Sequence, residues 1–182
     1  MGQIFDVRGT KSIESSDQRG SFRKTFWGDL NLLGGNFEVK EVFSTNSRRG
    51  TIRGLHFQLP PKSQSKLISV LQGSIHEVFV DIRRGSPDYG IVRSVGISAH
   101  SGKSDFKSLF IPSGFAHGYQ ALEDETIVQY IANYPYDSSL DSGINPNSLG
   151  IVWPLQKQIL SERDQTLPEL ENFDNPFFFE VH

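Results

Sequence analysis

The chain contains no cysteine among its 182 residues. This absence excludes disulfide bonds, thiolate metal sites and a cysteine nucleophile. It does not by itself fix the cellular compartment in which the protein works.

Two further absences bound the class of protein. No segment approaches the ~20 consecutive apolar residues that a membrane span needs, and the first residues, "MGQIFDVRGTK", lack the apolar core of a signal peptide. The net charge of −3 argues against a nucleic-acid surface built on an excess of basic residues. We therefore expect a soluble, cytoplasmic protein with one domain over residues 1–182 and with neither a membrane nor a nucleic-acid partner.

Amphipathic helical periodicity is nearly missing before residue 155, apart from "GDLNLLGG". Short β-rich segments instead alternate with turn compositions such as "PPKSQS" and "GSPDYG". Many short strands at this spacing predict an all-β fold, with a jelly roll favoured over other antiparallel sandwiches. The C-terminal stretch "LSERDQTLPELENF" is expected to hold a short helix. The predicted strand segments are "GSFRKTFW", "FEVKEVFSTNS", "GTIRGLHFQ", "KLISVLQG", "SIHEVFVDIRRG", "IVRSVGIS", "KSLFIP" and "TIVQYIANYPY".

Several catalytic motifs are also missing. The chain has no G-x-S-x-G segment of a serine hydrolase, no phosphate-binding G-x-x-x-x-G-K-[ST] loop and no G-x-G-x-x-G turn. His56 is followed by no second histidine at H-x-H spacing and by no acidic residue within nine positions. Only the scattered His56, His76 and His117 remain as metal-ligand candidates, so we predict a site without metal or other cofactor.

What is present is a set of polar residues in segments that otherwise look like strands. Strict alternation would put Arg53 and His56 on opposite faces of one strand, but Gly54 between them is suited to a bulge that turns both toward one cavity. His117 likewise lies beside a glycine, after a Pro–Gly turn. A single histidine in a strand is more often structural than catalytic. The out-of-place polar residues are Arg53, His56, Lys66, Asp81, His117 and Tyr130.

A metal-free site with these groups suits proton abstraction next to a carbonyl. A histidine base removes the acidified C–H proton, and Lys66 supplies the fixed positive charge that the enolate oxygen needs. A second group on the opposite face of the substrate, for which Tyr130 is the candidate, would return a proton with inverted configuration. This reaction is an epimerisation.

Alternation in "SIHEVFVDIRR" separates an apolar face from a face with two carboxylates, Glu77 and Asp81. From this pattern alone, Asp81 is as well explained by a solvent-facing position as by a functional one.

The segments "RGTIRGLHFQLPPKSQSKL", "VFVDIRRGSPDYG", "LFIPSGFAHGYQAL" and "GIVWP" follow one another in this order. Together they resemble the dTDP-4-dehydrorhamnose 3,5-epimerase family, from about Asp17 to Asp164. The ordered set is specific, although no single segment is. The resemblance implies a cupin-type double-stranded β-helix (jelly roll), a homodimer, a nucleotide-diphosphate sugar substrate and catalysis without a metal or other cofactor.

The resemblance also implies roles for individual residues. His56 corresponds to the general base that takes the C5 and C3 protons, and Asp164 to the carboxylate that orients it. Lys66 corresponds to the lysine that stabilises the enolate, and Tyr130 to the proton donor. The residues alone favour a different interpretation of Asp164, in which it and Ser161 form the capping box of a helix.

A second group of residues corresponds to positions that bind substrate. Tyr136 matches the aromatic residue that stacks on the nucleotide base. Asp141 and Arg163 stand where the family usually has glutamate and lysine, which conserves charge but not reach. The remaining matches are the substrate-binding Arg19, Arg53 and His117, and Asp81 as a carboxylate next to the site.

Three departures fall where nucleotide or sugar contacts are expected. Lys24 replaces a glutamate that commonly follows the "RG" arginine, "EVF" at 41–43 replaces a polar run, and "GINPNS" at 143–148 shortens a "WND" segment. The proton-transfer residues are intact. The reaction class is therefore better supported than the nucleotide, which stays open among dTDP, CDP, GDP and UDP, or than inversion at C3, C5 or both.

The leading hypothesis is an epimerase that acts on a nucleotide-diphosphate 4-keto-6-deoxysugar in deoxysugar or surface-polysaccharide synthesis. One alternative is a sugar-nucleotide 3,4-ketoisomerase of the same fold. Another is a non-catalytic sugar-nucleotide-binding jelly roll, which would leave a base and an acid unexplained. For the apolar tail "NPFFFEVH" we expect either burial in a dimer whose strands extend between subunits, or fraying.

Overall fold

The computed structural model describes residues 7–10, 13–25, 37–100 and 107–180. The predicted segment "GDLNLLGG" lies outside these residues. The described strands are β1 (Arg8–Thr10), β2 (Ile13–Asp17), β3 (Gly20–Lys24), β4 (Glu41–Ser47), β5 (Ile52–Gln58), β6 (Lys66–Gln72), β7 (Ser74–Asp81), β8 (Val92–Ser98), β9 (Ser108–Ile111), β10 (Phe115–Ala121), β11 (Thr126–Ala132) and β12 (Asp141–Gly143).

The predicted C-terminal helix is present but very short. It is α1 (Glu162–Gln165), and a 3-10 helix follows at Leu170–Asn172. In the described parts of the chain, no helix is long and apolar enough to cross a membrane.

Two five-stranded sheets form the body of the fold. Their strand orders are β1-β9-β6-β11-β4 and β12-β5-β10-β7-β8, and β2 and β3 form a separate two-stranded hairpin. The sheets share one core, because Ile68 and Val128 of the first sheet pack in the same buried cluster as Ile75 and Tyr119 of the second. All strand pairs are antiparallel. The predicted all-β sandwich is confirmed.

Strand β7 shows how alternation directs side chains to two different cores. Phe79 belongs to the cluster between the sheets, whereas Val78 and Val80 belong to a second cluster on the outer face of their sheet. Trp153 and Phe177 from the C-terminal segment cover that outer face. The carboxylate-bearing face predicted from the sequence therefore points into the sandwich.

Strands β5 and β10 approach each other unusually closely at two glycines. A Cβ atom on Gly54, whose φ is +123°, would lie 2.6 Å from the carbonyl oxygen of His117, and a Cβ on Gly118 would overlap the carbonyl oxygen of Arg53. The register shifts here, because His117 pairs with His56 but Tyr119 pairs with Arg53. The bulge predicted at Gly54 is confirmed, and it turns Arg53 and His56 toward the same cavity.

The C-terminal tail packs against its own chain as far as residue 180. Phe177 is buried, and Asn175 donates a hydrogen bond to the carbonyl oxygen of Ile82. The guanidinium group of Arg84 lies 4.2 Å from the centre of the Phe178 ring. The fraying considered for this tail is therefore wrong for its described part, and burial of Phe177 needs no second subunit.

Candidate active site

Two adjoining cavities open at one end of the sandwich. The inner cavity, of about 140 Å³, is lined by Thr45, Arg53, His117, Gly118 and Tyr130 together with the three shared residues named below. The outer cavity, of about 420 Å³, is lined by Glu41, Phe57, Gln58, Gln64, Tyr136, Asp141 and Arg163. Phe43, His56 and Lys66 line both cavities and so mark the boundary between them.

His56 and Asp164 form a close pair beside this boundary. The Nε2 atom of His56 lies 2.7 Å from Oδ1 of Asp164, and the backbone N–H of Gly54 donates to the other carboxylate oxygen at 3.3 Å. Burial acts to raise the pKa of Asp164, but the hydrogen bond and charge of His56, the Gly54 N–H and Arg163 together hold it below its usual value. The carboxylate is ionised, so it orients the imidazole and leaves Nδ1 available to accept a proton.

The stretch that carries Asp164 forms only half of the capping box that the residues alone favour, because Ser161 caps the helix but the Asp164 carboxylate bonds His56 and Gly54 instead of the backbone N–H of Ser161. The hydroxyl oxygen of Ser161 accepts a hydrogen bond from the backbone N–H of Asp164 at 3.1 Å, which caps α1. The Asp164 side chain points away from this cap toward His56. The helix start thus fixes the backbone of the residue whose carboxylate holds the imidazole.

Arg163 lies next to the same pair. Its Nη1 atom is 3.0 Å from Nε2 of His56, and its Nη2 atom is 2.7 Å from Oδ2 of Asp141. One imidazole nitrogen cannot donate to Asp164 and accept from Arg163 at once. The buried carboxylate is the closer partner, so Arg163 acts on His56 through its charge and is itself held by Asp141.

Lys66 enters the boundary between the cavities from the start of β6. Burial lowers the pKa of its ammonium group to about 8, although Asp141, Glu77 and Glu41 act to raise it. The ammonium group is therefore charged at neutral pH, but it loses its proton at a pH only slightly above neutral.

Tyr130 projects from β11 into the inner cavity. Its ring stacks on that of Phe43, the residue paired with it on the neighbouring strand β4. The ring centres are 4.6 Å apart, and the planes are 7° from parallel. Burial raises the pKa of its phenol well above the usual value, and the nearby Tyr119 and Glu77 act in the same direction. Tyr130 is therefore protonated at neutral pH, as a proton donor must be.

His117 forms a second buried pair, with Glu77. The two side chains meet at 2.9 Å through Nδ1 and Oε1. Burial, together with the charges of Lys66 and His56, keeps the pKa of His117 well below its usual value, so its imidazole is uncharged. Its buried Nε2 atom has no hydrogen-bond partner within the described residues. A buried polar atom without a partner beside a cavity suggests that a ligand group supplies one.

Charged and aromatic groups surround the outer cavity. Tyr136 is 58% exposed, donates its hydroxyl to Asp141 at 3.2 Å, and is held through its backbone N–H by the carboxylate of Glu41 at 3.0 Å. An exposed ring fixed in this way offers a flat surface for stacking.

Comparison with known proteins places the chain in one family. The model of the dTDP-4-dehydrorhamnose 3,5-epimerase family matches residues 2–172. A dTDP-4-dehydrorhamnose 3,5-epimerase from Methanothermobacter thermautotrophicus is 39% identical over 170 residues, which cover 90% of this chain and 88% of the relative. A dTDP-4-dehydrorhamnose 3-epimerase from Streptomyces niveus is 30% identical and covers 84% of this chain and 73% of the relative.

A solved structure shows the same relationship. The crystal structure of a dTDP-6-deoxy-D-glucose-3,5-epimerase from Legionella pneumophila in complex with dTDP-4-keto-L-rhamnose has a TM-score of 0.88 and 31% sequence identity, and the match covers 98% of this chain and 97% of that one. This chain belongs to the dTDP-4-dehydrorhamnose 3,5-epimerase family. It is an isomerase, and its fold is the cupin-type jelly roll of that family.

The structure brings together most of the residues that the epimerase resemblance singled out. Arg53, His56, Lys66, His117 and Tyr130 line the inner cavity. Tyr136, Asp141 and Arg163 line the outer one, and Asp164 lies directly behind His56.

The structure does not bring Asp81 to either cavity. Its carboxylate accepts hydrogen bonds from the Arg83 side chain, at 2.6 and 2.9 Å, and from Ser86 at 2.7 Å. The solvent-facing alternative is also wrong, because Asp81 is 1% exposed. Asp81 fixes the turn after β7, and the carboxylate that reaches the site from this strand is Glu77.

Arg19 likewise lines neither the inner nor the outer cavity of its own chain. It lies at the tip of the β2–β3 hairpin, where its 86% exposed side chain pairs with Asp17 at 2.6 Å. Arg19 can reach a substrate only if another copy of the chain brings the hairpin over a cavity.

Metal ligation finds no geometric support in the described ranges 7–10, 13–25, 37–100 and 107–180. No three histidine or acidic side chains there are close enough together to hold a metal ion. Catalysis without a metal stays a prediction from the sequence.

Two substitutions should separate the cap from the histidine pair. Ser161→Ala removes the cap of α1 and should lower the free energy of unfolding by about 1 kcal/mol, while the tautomer of His56 stays unchanged. Asp164→Asn should mix the two neutral tautomers, because an amide can either donate to Nε2 or accept from it. Urea unfolding and side-chain ¹⁵N NMR measure the two effects. An unchanged His56 tautomer in Asp164→Asn would contradict the proposed orienting role.

Proposed function

We propose that this protein inverts C3, C5 or both in a dTDP-linked 4-keto-6-deoxysugar that serves deoxysugar or surface-polysaccharide synthesis. The observation that carries the proposal is the arrangement of His56, Lys66 and Tyr130 around one cavity, with an ionised Asp164 behind the histidine. The named substrates of the relatives support the nucleotide and the sugar. The relative named as a 3-epimerase supports leaving the number of inverted carbons open.

The proposed reaction begins with removal of a proton next to the C4 carbonyl. Nδ1 of His56 takes the proton. The electron pair of the broken C–H bond forms a double bond to C4, and the π pair of the carbonyl group moves onto its oxygen. The resulting enolate oxygen accepts a hydrogen bond from the Lys66 ammonium. Asp164 stabilises the imidazolium that forms, which makes His56 a stronger base than an isolated imidazole.

Inversion follows when Tyr130 gives its phenolic proton to the opposite face of the same carbon. The electron pair returns from the enolate oxygen, and the C4 carbonyl is restored. The step leaves a protonated His56 and a Tyr130 phenolate, and proton exchange with water resets both. For a second inversion the same groups act on the other carbon adjacent to the carbonyl.

The remaining lining residues are proposed to bind substrate. The outer cavity, which is three times the volume of the inner one, accommodates the nucleotide, with Tyr136 stacked on the base. Arg163 provides positive charge for the diphosphate. Arg53 and the unpartnered Nε2 of His117 face the sugar.

Exchange in heavy water tests the roles of base and acid separately. His56→Ala should abolish both deuterium incorporation and inversion. Tyr130→Phe should still incorporate deuterium, because the enolate forms and is reprotonated by His56 on its original face, but it should give little inverted product. An NMR time course on a dTDP-4-keto-6-deoxysugar follows both processes. His100→Ala, at an exposed pair with Glu123, is the control.

Three outcomes would contradict this mechanism. Normal exchange in His56→Ala would show that another group is the base. Normal inversion in Tyr130→Phe would show that another group is the acid. A wild-type product with a displaced carbonyl and no inverted centre would identify a 3,4-ketoisomerase.

The pH dependence should report Lys66. A lysine with a pKa near 8 is charged below that value and loses its charge as the pH rises through it. The kcat/KM value should therefore fall above pH about 8, because a neutral amine stabilises the enolate poorly. The alkaline limb of kcat should lie at higher pH, since the bound diphosphate favours the charged lysine. Lys66→Met should show low activity without this limb, and a wild-type profile that is flat to pH 9.5 would contradict the proposal.

We also propose that the protein is a homodimer. Strand β4 pairs only with β11 among the described strands, and it exposes Val42 by 56%. The hairpin exposes Ile13 and Phe22, by 46% and 58%. A bare sheet edge and exposed apolar side chains are both unfavourable in water, and a second copy would cover them. Sedimentation equilibrium should give a dimer at micromolar concentration. Phe22→Lys should weaken the dimer, whereas Val152→Lys should not, because Val152 is 86% exposed and lies on neither β4 nor the hairpin. A wild-type monomer at that concentration would contradict the proposal.

A further inference from the structure

A row of hydroxyl groups connects Arg53 to Tyr130 behind the inner cavity. The Arg53 Nε–H donates to Oγ of Ser47 at 3.0 Å, and Ser47 lies 2.9 Å from the hydroxyl of Tyr119. The Tyr119 hydroxyl lies 2.8 Å from Oγ1 of Thr45, which lines the inner cavity together with Tyr130 and, as a hydrogen-bond donor, acts to lower the pKa of its phenol. Ser47 and Tyr119 are only 3% and 1% exposed, so water does not compete for these bonds.

Strand geometry explains why these residues meet. Phe43, Thr45 and Ser47 alternate along β4 and so face the interior together. Tyr119 comes from the opposite sheet, where it pairs with Arg53 across the bulge between β5 and β10. The same bulge therefore positions both Arg53, at the end of the row, and the hydroxyl of Tyr119, at its centre.

The positive charge of Arg53 favours one direction along the row. A guanidinium group can only donate, so Ser47 must accept at that end. The proton of Ser47 is then free to point to Tyr119, that of Tyr119 to Thr45, and that of Thr45 to Tyr130. In this order every hydroxyl donates toward the phenol, and the positive charge lies at the far end.

This orientation matters at the moment when Tyr130 loses its proton. The phenolate that forms is a buried anion, and it needs a donor that is already in place. We propose that Ser47, Tyr119 and Thr45 are positioning residues that stabilise the Tyr130 phenolate through this polarised row. The proposal rests on the assignment of Tyr130 as the acid. It involves no proton transfer along the row: Tyr130 gives its proton to the sugar carbon, and Thr45 donates a hydrogen bond to the oxygen left behind.

Other charged groups face Tyr130 and set the background against which the row acts. Glu77 on β7 and an ionised Tyr119 on β10 disfavour the phenolate, whereas Arg53 on β5 favours it; the proposed row uses Tyr119 with its hydroxyl proton in place. The neutral His117 on β10 and Lys66 on β6 line the same cavity. A comparison of variants at one pH leaves the charges of these groups alike, so a change can be assigned to the hydroxyl removed.

The competing explanation is that the three hydroxyls merely satisfy one another in the core. In that case their loss would loosen the site and lower proton abstraction and inversion together. Stabilisation of the phenolate affects only the second step. The ratio of inverted product to deuterium exchange therefore separates the two explanations.

Tyr119→Phe and Thr45→Val remove one hydroxyl each with little change in shape. In heavy water both variants should keep the wild-type rate of exchange by His56. Inverted product per exchange event should fall about threefold to tenfold in Tyr119→Phe and at least about tenfold in Thr45→Val, which loses the direct donor. Thr45→Ser keeps the donor and should restore the wild-type ratio. Tyr89→Phe removes the hydroxyl of a 40% exposed tyrosine that lines neither cavity, and it is the matched control.

The outcomes are distinguishable from failure of the mechanism itself. Tyr130→Phe is run in parallel, and if it inverts normally, the assignment of the acid is wrong. If Tyr130→Phe separates exchange from inversion but either Tyr119→Phe or Thr45→Val keeps the wild-type ratio, the row does not act on the phenolate. A parallel loss of exchange and inversion in those two variants would also overturn the proposal, in favour of a structural role.

Discussion

The close approach of β5 and β10 at Gly54 and Gly118 is the constraint on which the site depends. Any side chain at either position would collide with the backbone of the opposite strand. At this approach β5 has one more residue than β10 between paired positions, so two side chains that alternation would separate face the same cavity. The Gly54 N–H also contacts Asp164, so the bulge helps to hold the carboxylate behind the proposed base.

Two histidine–carboxylate pairs lie beside this bulge, and their surroundings give them different properties. Asp164 accepts bonds from His56 and Gly54 and lies near Arg163, so its pKa is lowered and it stays ionised. Glu77 is completely buried, and burial raises its pKa well above the usual value despite the nearby Lys66. The 28% exposed side chain of His56 therefore has a charged partner and access to the cavity, whereas His117 is held neutral. When the surroundings of two carboxylates move their pKa values apart in this way, the two groups can serve different roles.

The sequence could predict those features that depend on local pattern. Alternation and turn residues located the strands, and Gly54 between two polar residues indicated the bulge. Contacts between distant strands have no such local signal. Asp81 and Glu77 share one face of β7, and only the side-chain contacts of the folded chain show that Glu77 meets His117 while Asp81 pairs with the next turn. Tyr119 has no local signal in the sequence for the same reason, because its partners lie on β4, more than 70 residues away.

The departures from the family pattern lie mostly outside the inner cavity. Glu41 lines only the outer cavity, where it fixes the backbone of Tyr136, and Lys24 lies on the hairpin. Of these three departing residues, only Phe43 lines both cavities. Its contact with the proposed catalytic groups is the stacking of its ring on Tyr130. Proton transfer next to a carbonyl depends on the sugar and on the groups around it, which match the family. The outer cavity, where we propose that the nucleotide binds, keeps Tyr136 but departs from the family pattern at Glu41. Under that proposal, changes at Glu41 alter the preferred nucleotide without altering the reaction, because among the described residues only Phe43, His56 and Lys66 line both cavities.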